Sequence, residues 1–136
     1  MTVSFYVPGP PRGKGRPRSS RASGRVYTPA ETASYENLIK VMAMQAMAGQ
    51  APIEGPVTLT MIACLPIPAS MSKKKRLAMA HGELKPAKRP DLDNILKALL
   101  DGINGVVFHD DVQVIRIVAE KQYDVLPGLQ VMVWPV

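Results

Sequence analysis

The chain is poor in the residues that staple, anchor or stack: among 136 there are one Cys, two His, one Trp, two Phe and four Tyr. A lone Cys64 in an apolar run forms no internal disulfide, which excludes a disulfide scaffold and predicts buried packing. No apolar run approaches the roughly 18 residues that cross a bilayer, and no charged n-region with an apolar core opens the chain. These absences predict a cytoplasmic protein without a membrane partner. Acids are missing as well, from residues 1–30 altogether, where Arg12, Lys14, Arg16, Arg18, Arg21 and Arg25 stand unopposed.

A second block, residues 73–89, holds Lys73, Lys74, Lys75, Arg76, Lys85, Lys88 and Arg89 against Glu83 alone. Thirteen of the seventeen cations therefore lie in two segments of a chain whose net charge is +6. A charge run is commonly a solvated face. Two of them beside an acidic cluster suit a polyanion whose scissile phosphate needs a metal, so nucleic acid is the expected partner. With 46% hydrophobic residues the chain is globular, and its length predicts one domain over 1–136 with a modest core.

That acidic cluster runs from Lys88 to Val112. Asp91, Asp93, Asp101, Asp110 and Asp111, five of the six aspartates, fall within 21 residues that contain one cation, Lys97. Leu92, Ile95, Leu96, Leu99, Leu100 and Ile103 repeat as one buried helical stripe. Pro90 suits the approach to a helix, Asp91 its N-cap, and Asn104-Gly105 its stop. Asp93, Lys97 and Asp101, four apart, then share the face left to solvent. Each acid has an ordinary explanation: a cap, an i,i+4 ladder of roughly 0.2–0.5 kcal/mol per pair, a turn. Together they are harder to explain, because close carboxylates repel unless protonated or bridged by a cation. Two or three Asp with room for water and phosphate are what Mg²⁺ uses. If the strand after Asp111 runs back beside the helix start, both acidic pairs meet there.

The remaining elements follow from periodicity and breakers. Met1 to Val7 reads as a strand closed by Pro8-Gly9-Pro10-Pro11, and residues 9–27 as a mobile basic loop. A helix from Thr28 or Pro29 to about Ala48 carries Leu38, Val41, Met42 and Met47, a Met-rich face suited to core filling or a subunit contact. Val57 to Leu65 is a strand ended by Pro66 and Pro68. The basic segment 70–89 begins with a short helix, Ser70 to His81, with His81 at the surface. Val112 to Tyr123 has strand spacing, and Leu126-Pro127-Gly128 turns into a last strand, Leu129 to Trp134. The order β-α-β-α-β-β predicts an α+β fold: a single two-layer domain with a four-stranded mixed sheet and helices on one face.

The string R-P-D-L-D-N-I-L-K-A-L-L-D from Arg89 to Asp101, followed by D-D-V-Q-V from Asp110, closely resembles the RusA family of Holliday junction resolvases. Pro11 to Arg18 (P-R-G-K-G-R-P-R), Tyr27-Thr28-Pro29 and Ser72 to Lys75 extend the likeness over nearly the whole chain. The resemblance implies a RusA-like fold and a homodimer that cuts branched DNA, a four-way junction, by paired nicks in recombination and repair. It implies Mg²⁺, with Mn²⁺ as a substitute, held by Asp91, Asp93 and Asp111 with Asp110 beside them, and Lys97 as a catalytic partner. DNA contacts fall to Lys14, Arg16, Arg18, Lys73, Lys74, Lys75, Arg76, Lys88, Arg89 and Lys121. Asp101 is assigned to supporting Lys97, and His109 to neutral packing or weak ligation. A prophage setting also fits the resemblance. Three other readings stay open: a nuclease for flaps or forks, a non-catalytic junction binder, and a Toprim-like phosphotransfer domain. The last wants a Glu near the end of an early strand, where neither Glu31 nor Glu54 sits convincingly.

Overall fold

The computed structural model describes residues 1–15, 18–19, 21–27 and 30–136, with 18, 19 and 27 described by backbone alone. In chain order it contains β1 (Val3–Pro8), β2 (Arg18–Ser19), β3 (Val26–Tyr27), α1 (Ala30–Met47), β4 (Val57–Pro66), α2 (Lys73–Ala80), α3 (Leu92–Ile103), a 3-10 turn (Asp111–Gln113), β5 (Val114–Asp124) and β6 (Gly128–Pro135). The main sheet runs β1-β6-β4-β5, antiparallel except for the parallel pair β4 and β5. This is the expected α+β domain with a mixed four-stranded sheet. The small β2-β3 ribbon was not expected; it lies within the basic segment, where two-residue strands leave no hydrophobic period.

Alternation places the layers. Val3, Phe5 and Val7 of β1 register with Val133, Val131 and Leu129 of β6, and these with Leu59, Met61 and Ala63 of β4, all buried on one face. The helices cover that face: α1 supplies Tyr35, Ile39, Ala43 and Met47, and α3 supplies Ile95, Ala98, Leu99 and Ile103 to the same core. α2 packs Met79 against Leu65 and Tyr123 at the far end of β4 and β5. On the opposite face Ser4, Gln130, Met132, Arg116 and Glu120 meet solvent. Cys64 is buried on that side, its Sγ flanked by the Gln122 and Gln130 amides at 3.6 and 3.7 Å.

Two details differ from the periodic reading, and close packing explains both. On α1 the Met-rich face is split: Met47 is core, Met42 is partly covered and Met44 is exposed. On α3 the buried stripe is shifted towards Ala98 and Gly102, leaving Leu92, Leu96 and Leu100 half-buried. The shift follows α1, because a side chain at Gly102 would meet Ile39 Cγ2 at 2.7 Å. Small residues there let two helix backbones approach.

Candidate nucleic-acid and metal site

α3 begins at Asp91, whose extended backbone (φ −68°, ψ 138°) and carbonyl, accepting from Ile95 N at 3.1 Å, make it the N-cap. Its carboxylate makes no capping hydrogen bond, contrary to the sequence-based assignment. Asp93 in the first turn is exposed beside it. Among the described residues neither carboxylate has a side-chain partner, so two sets of oxygen ligands stand free at a helix N-terminus, where the backbone dipole favours negative charge. Lys97 follows one turn later on the same exposed face.

The basic segment lies along this helix. Lys14 N donates to Asn94 O at 3.0 Å and Gly15 N to Thr32 Oγ1 at 2.9 Å, which accounts for a buried threonine on α1. Lys14 Nζ binds the Asp101 carboxylate and lies 3.6 Å from Glu36 Oε1. The hydrogen bond to Asp101 is the main cause that raises the Lys14 pKa, against some desolvation. Asp101 is thus the partner of Lys14, and the role of supporting Lys97 is not seen. Between the segment and the helix start lies a cleft of about 910 Å³, with Arg12, Lys14, Arg89, Asp91 and Asn94 in its walls. It joins the free end of α3 to the first block of cations.

Lys121, half-buried on the helix-covered face of β5, reaches across to the chain entering α3. Its Nζ donates to Lys88 O at 2.6 Å and Pro90 O at 3.1 Å. Those carbonyls flank Arg89, so Lys121 fixes the backbone that presents Asp91. Lys88 itself lies 6.0 Å from the centre of the Tyr123 ring. Lys73, Lys74, Lys75 and Arg76 are exposed along α2, whose N-terminus is capped by Ser72 rather than Ser70, accepting from Lys75 N at 3.3 Å. Arg16 and the Arg18 side chain lie outside the described residues, as do Thr28 and Pro29.

Asp110 and Asp111 stand elsewhere. β5 does run back beside α3, since its first residue follows the Asp111 turn and its eighth, Lys121, touches the entry to α3. Seven residue-to-residue steps of extended chain lead from Val114 to Lys121, a distance of about 23 Å. The pair therefore lies by the far end of α3, where Asp101 is its acidic neighbour. From Asp93 to Asp101 the helix alone rises about 12 Å. Among the described residues no three His, Cys, Asp or Glu converge to hold a metal. The convergence expected of the two acidic pairs is absent within one chain. The free pair Asp91 and Asp93 nevertheless suits Mg²⁺, which commonly takes one or two carboxylates and leaves its other positions to water and phosphate.

The Asp110-Asp111 turn is held by a residue that sequence reasoning passed over. Gln113 Nε2 donates to Ile53 O and Gly55 O, each at 2.8 Å, and Gln113 Oε1 accepts from His109 N at 2.8 Å and Asp110 N at 3.1 Å. The capping box it forms with Asp110 was visible as D-x-x-Q. His109 is exposed, its Nε2 2.8 Å from Glu54 Oε1, so it is neither packed nor set among ligands. The Asp111 carboxyl is raised above its usual pKa, first by the hydrogen bond it shares with Asp110, then by desolvation and by the charges of Asp110 and Asp101.

The profile of the family described as Endodeoxyribonuclease RusA matches residues 8–134. The uncharacterized protein YqaN of Bacillus subtilis (strain 168) is 33% identical over 135 residues, spanning 96% of this chain and 94% of that one.

Proposed function

The chain belongs to the RusA endodeoxyribonuclease family, and from that premise we propose that it is a Mg²⁺-dependent nuclease that resolves four-way DNA junctions by paired, symmetric nicks. The observation that carries the reading is the pair of carboxylates, Asp91 and Asp93, unpartnered among the described residues, at the start of α3 beside a cleft with Arg12 and Arg89 in its walls. Cations on the wall and carboxylates at its edge suit a phosphodiester held by its neighbours and attacked at one phosphorus.

Asp91 and Asp93 would hold the ion, with Asp110 and Asp111 as the second acidic pair. When bound, Mg²⁺ supplies Lewis acidity to a phosphate oxygen and a more acidic water, with Mn²⁺ able to replace it. The protein's own residues do the rest. Arg12 and Arg89, with Lys73, Lys74, Lys75 and Arg76 of α2 and with Arg16 and Arg18, neutralise flanking phosphates, which position the duplex arms without reading bases. Lys97 orients the attacking water or offsets the charge that builds on the phosphoryl oxygens. Lys121 holds the Lys88–Pro90 backbone so that Asp91 keeps its place. The products are 5′-phosphate and 3′-hydroxyl ends, which a ligase seals. A symmetric junction needs two opposed cuts, and a two-fold dimer supplies two sites. We place this activity in the cytoplasm, in DNA recombination and repair.

The test is cleavage of a labelled four-way junction, with linear duplex and a flap alongside, by wild type and Asp93→Asn, in Mg²⁺ or EDTA. Paired, ligatable nicks on the junction by wild type with metal only are expected. Equal cutting of the flap would make the protein a broader branched-DNA nuclease. Tight junction binding with no cleavage in Mg²⁺ or Mn²⁺ would make it a junction-binding protein and overturn the catalytic reading.

A further inference from the structure

A second pocket, of about 410 Å³, opens against α2 at the carboxyl ends of the parallel strands β4 and β5. Crevices at such strand ends are where open α/β sheets commonly hold ligands, and the volume suits a small planar one. Ile67, Leu77, Ala80 and Val125 give it apolar walls, of which Leu77 and Val125 are 50% and 81% exposed. Lys73 and Arg76 line it together with Asp124, yet among the described residues neither cation forms an ion pair with that carboxylate. Asp124 accepts from Leu126 N at 3.0 Å, and a carboxylate has roughly four acceptor sites, so there is room for two more donors. The pocket is near the free carboxylates of α3. Asp124 lies three steps of β5, about 10 Å, beyond Lys121, whose Nζ binds the chain entering that helix.

We propose that this pocket receives a guanine swung out at the branch point of the junction, with Asp124 reading its Watson–Crick edge. This rests on the junction-cleaving reading above and names a base for it. The cations select the polyanion: Lys73 and Arg76 meet the phosphates on either side of the base, and the apolar walls take its faces. Asp124 then chooses among bases. Guanine alone presents two adjacent N–H donors, N1–H and the N2 amine, which match the two oxygens of one carboxylate in charge-assisted hydrogen bonds. Cytosine and adenine set their amine beside an acceptor nitrogen that repels a carboxylate, and thymine sets its one N–H between two carbonyls. Stacking is already interrupted at a branch point, which lowers the cost of extrusion there.

Anisotropy in EDTA tests the pocket without any cutting. Labelled four-way junctions carry one unpaired guanine, inosine or thymine at the branch point; inosine keeps N1–H and lacks the amine. Wild type should bind the guanine junction about tenfold more tightly than the other two. Asp124→Asn, whose amide oxygen still serves Leu126 N, should bind all three alike. So should Ala80→Trp, which fills the pocket from the exposed last residue of α2. Both variants should melt as wild type does, since neither position belongs to the main core. A wild type indifferent to the base, or selectivity that survives in Asp124→Asn, overturns the guanine subsite. An acidic, leucine-bearing peptide bound by such an indifferent wild type and not by Ala80→Trp would give the pocket to a protein instead. Guanine selectivity with no cleavage of any junction in Mg²⁺ or Mn²⁺ overturns the nuclease reading and leaves the subsite standing.

Discussion

Lys14 and Asp101, 87 residues apart in the chain, form a hydrogen-bonded ion pair that ties the basic segment to the last turns of α3, with Glu36 of α1 as a third member. A lysine already shared between two carboxylates has little charge left for a phosphate. Lys14→Met should therefore leave the salt dependence of junction binding unchanged, while Arg89→Met should lower its slope by about one. Anisotropy titrations over a salt series check this; a slope lowered by about one in Lys14→Met would put Lys14 on the DNA. Stability should fall by about 1 kcal/mol or less, since the pair is partly exposed. The Lys14 pKa is raised, so its contribution is complete below the ordinary value of 10.5 and is lost as pH climbs through the raised one. Melting temperatures of the two proteins should differ at neutral pH and converge only above that value.

What the sequence made legible was local. The α3 stripe, its Asn104-Gly105 stop, the β-branched content of β4 and the strand spacing of β5 rest on patterns within a dozen residues. Pairings across the chain left no such trace. Lys14 with Asp101, Lys121 with Lys88 and Pro90, and Gln113 with Ile53 and Gly55 depend on how elements stack. The meeting of the acidic pairs failed for a metric reason: a strand running back along a helix brings its end, not its beginning, to the helix start. Asp91 was read as a side-chain cap because its position is right; only coordinates show the carboxylate left free.

Lys121 separates positioning from phosphate contact. Lys121→Met removes two hydrogen bonds and leaves the Lys88 and Pro90 carbonyls without a charged donor, a loss of about 1–3 kcal/mol if they stay unpaired. The segment carrying Asp91 should loosen. We expect the cleavage rate of a bound junction to fall at least about tenfold, with Kd changed less than about twofold and the salt slope intact. Single-turnover cleavage at saturating enzyme measures the first, anisotropy the others. A weaker Kd with a reduced slope and an unchanged single-turnover rate would return Lys121 to the DNA surface.

The Asp110-Asp111 contact gives a pH prediction in metal-free buffer. The Asp111 pKa is raised in the folded protein, so the native state binds its proton more tightly than the unfolded chain does. Stability from this group is then greatest at low pH and falls as pH rises from the unfolded value of 3.8 through the raised one. Asp110→Asn turns a repelling neighbour into a donor and keeps an oxygen for Val112 N. In EDTA its melting temperature should exceed that of wild type at pH 7, and the gain should shrink as pH falls through the raised Asp111 value towards 3.8. Thermal melts from pH 3 to 8 check the crossing, and a gain that persists at pH 3 would assign the effect to the cap instead.

Gly102 tests the packing of α3 against α1. It lies where α3 crosses α1, and a Cβ there would stand 2.7 Å from Ile39 Cγ2, 2.9 Å from Ile39 Cβ and 3.0 Å from Glu36 O. Alanine favours a helix over glycine by about 1 kcal/mol, which acts in the opposite direction. Overpacking of a filled core costs about 1–3 kcal/mol, and two of the three contacts are to a buried β-branched side chain with little freedom to move. The clash should win. Gly102→Ala is expected to lower stability by about 1–2 kcal/mol in urea melts, whereas the same change in an Ile39→Ala background, which lacks the Cγ2 contact, should cost less. Glu36 sits on the same turn of α1 and reaches Lys14. A displaced α1 should then also weaken the tie between the basic segment and α3, so junction cleavage should fall in Gly102→Ala.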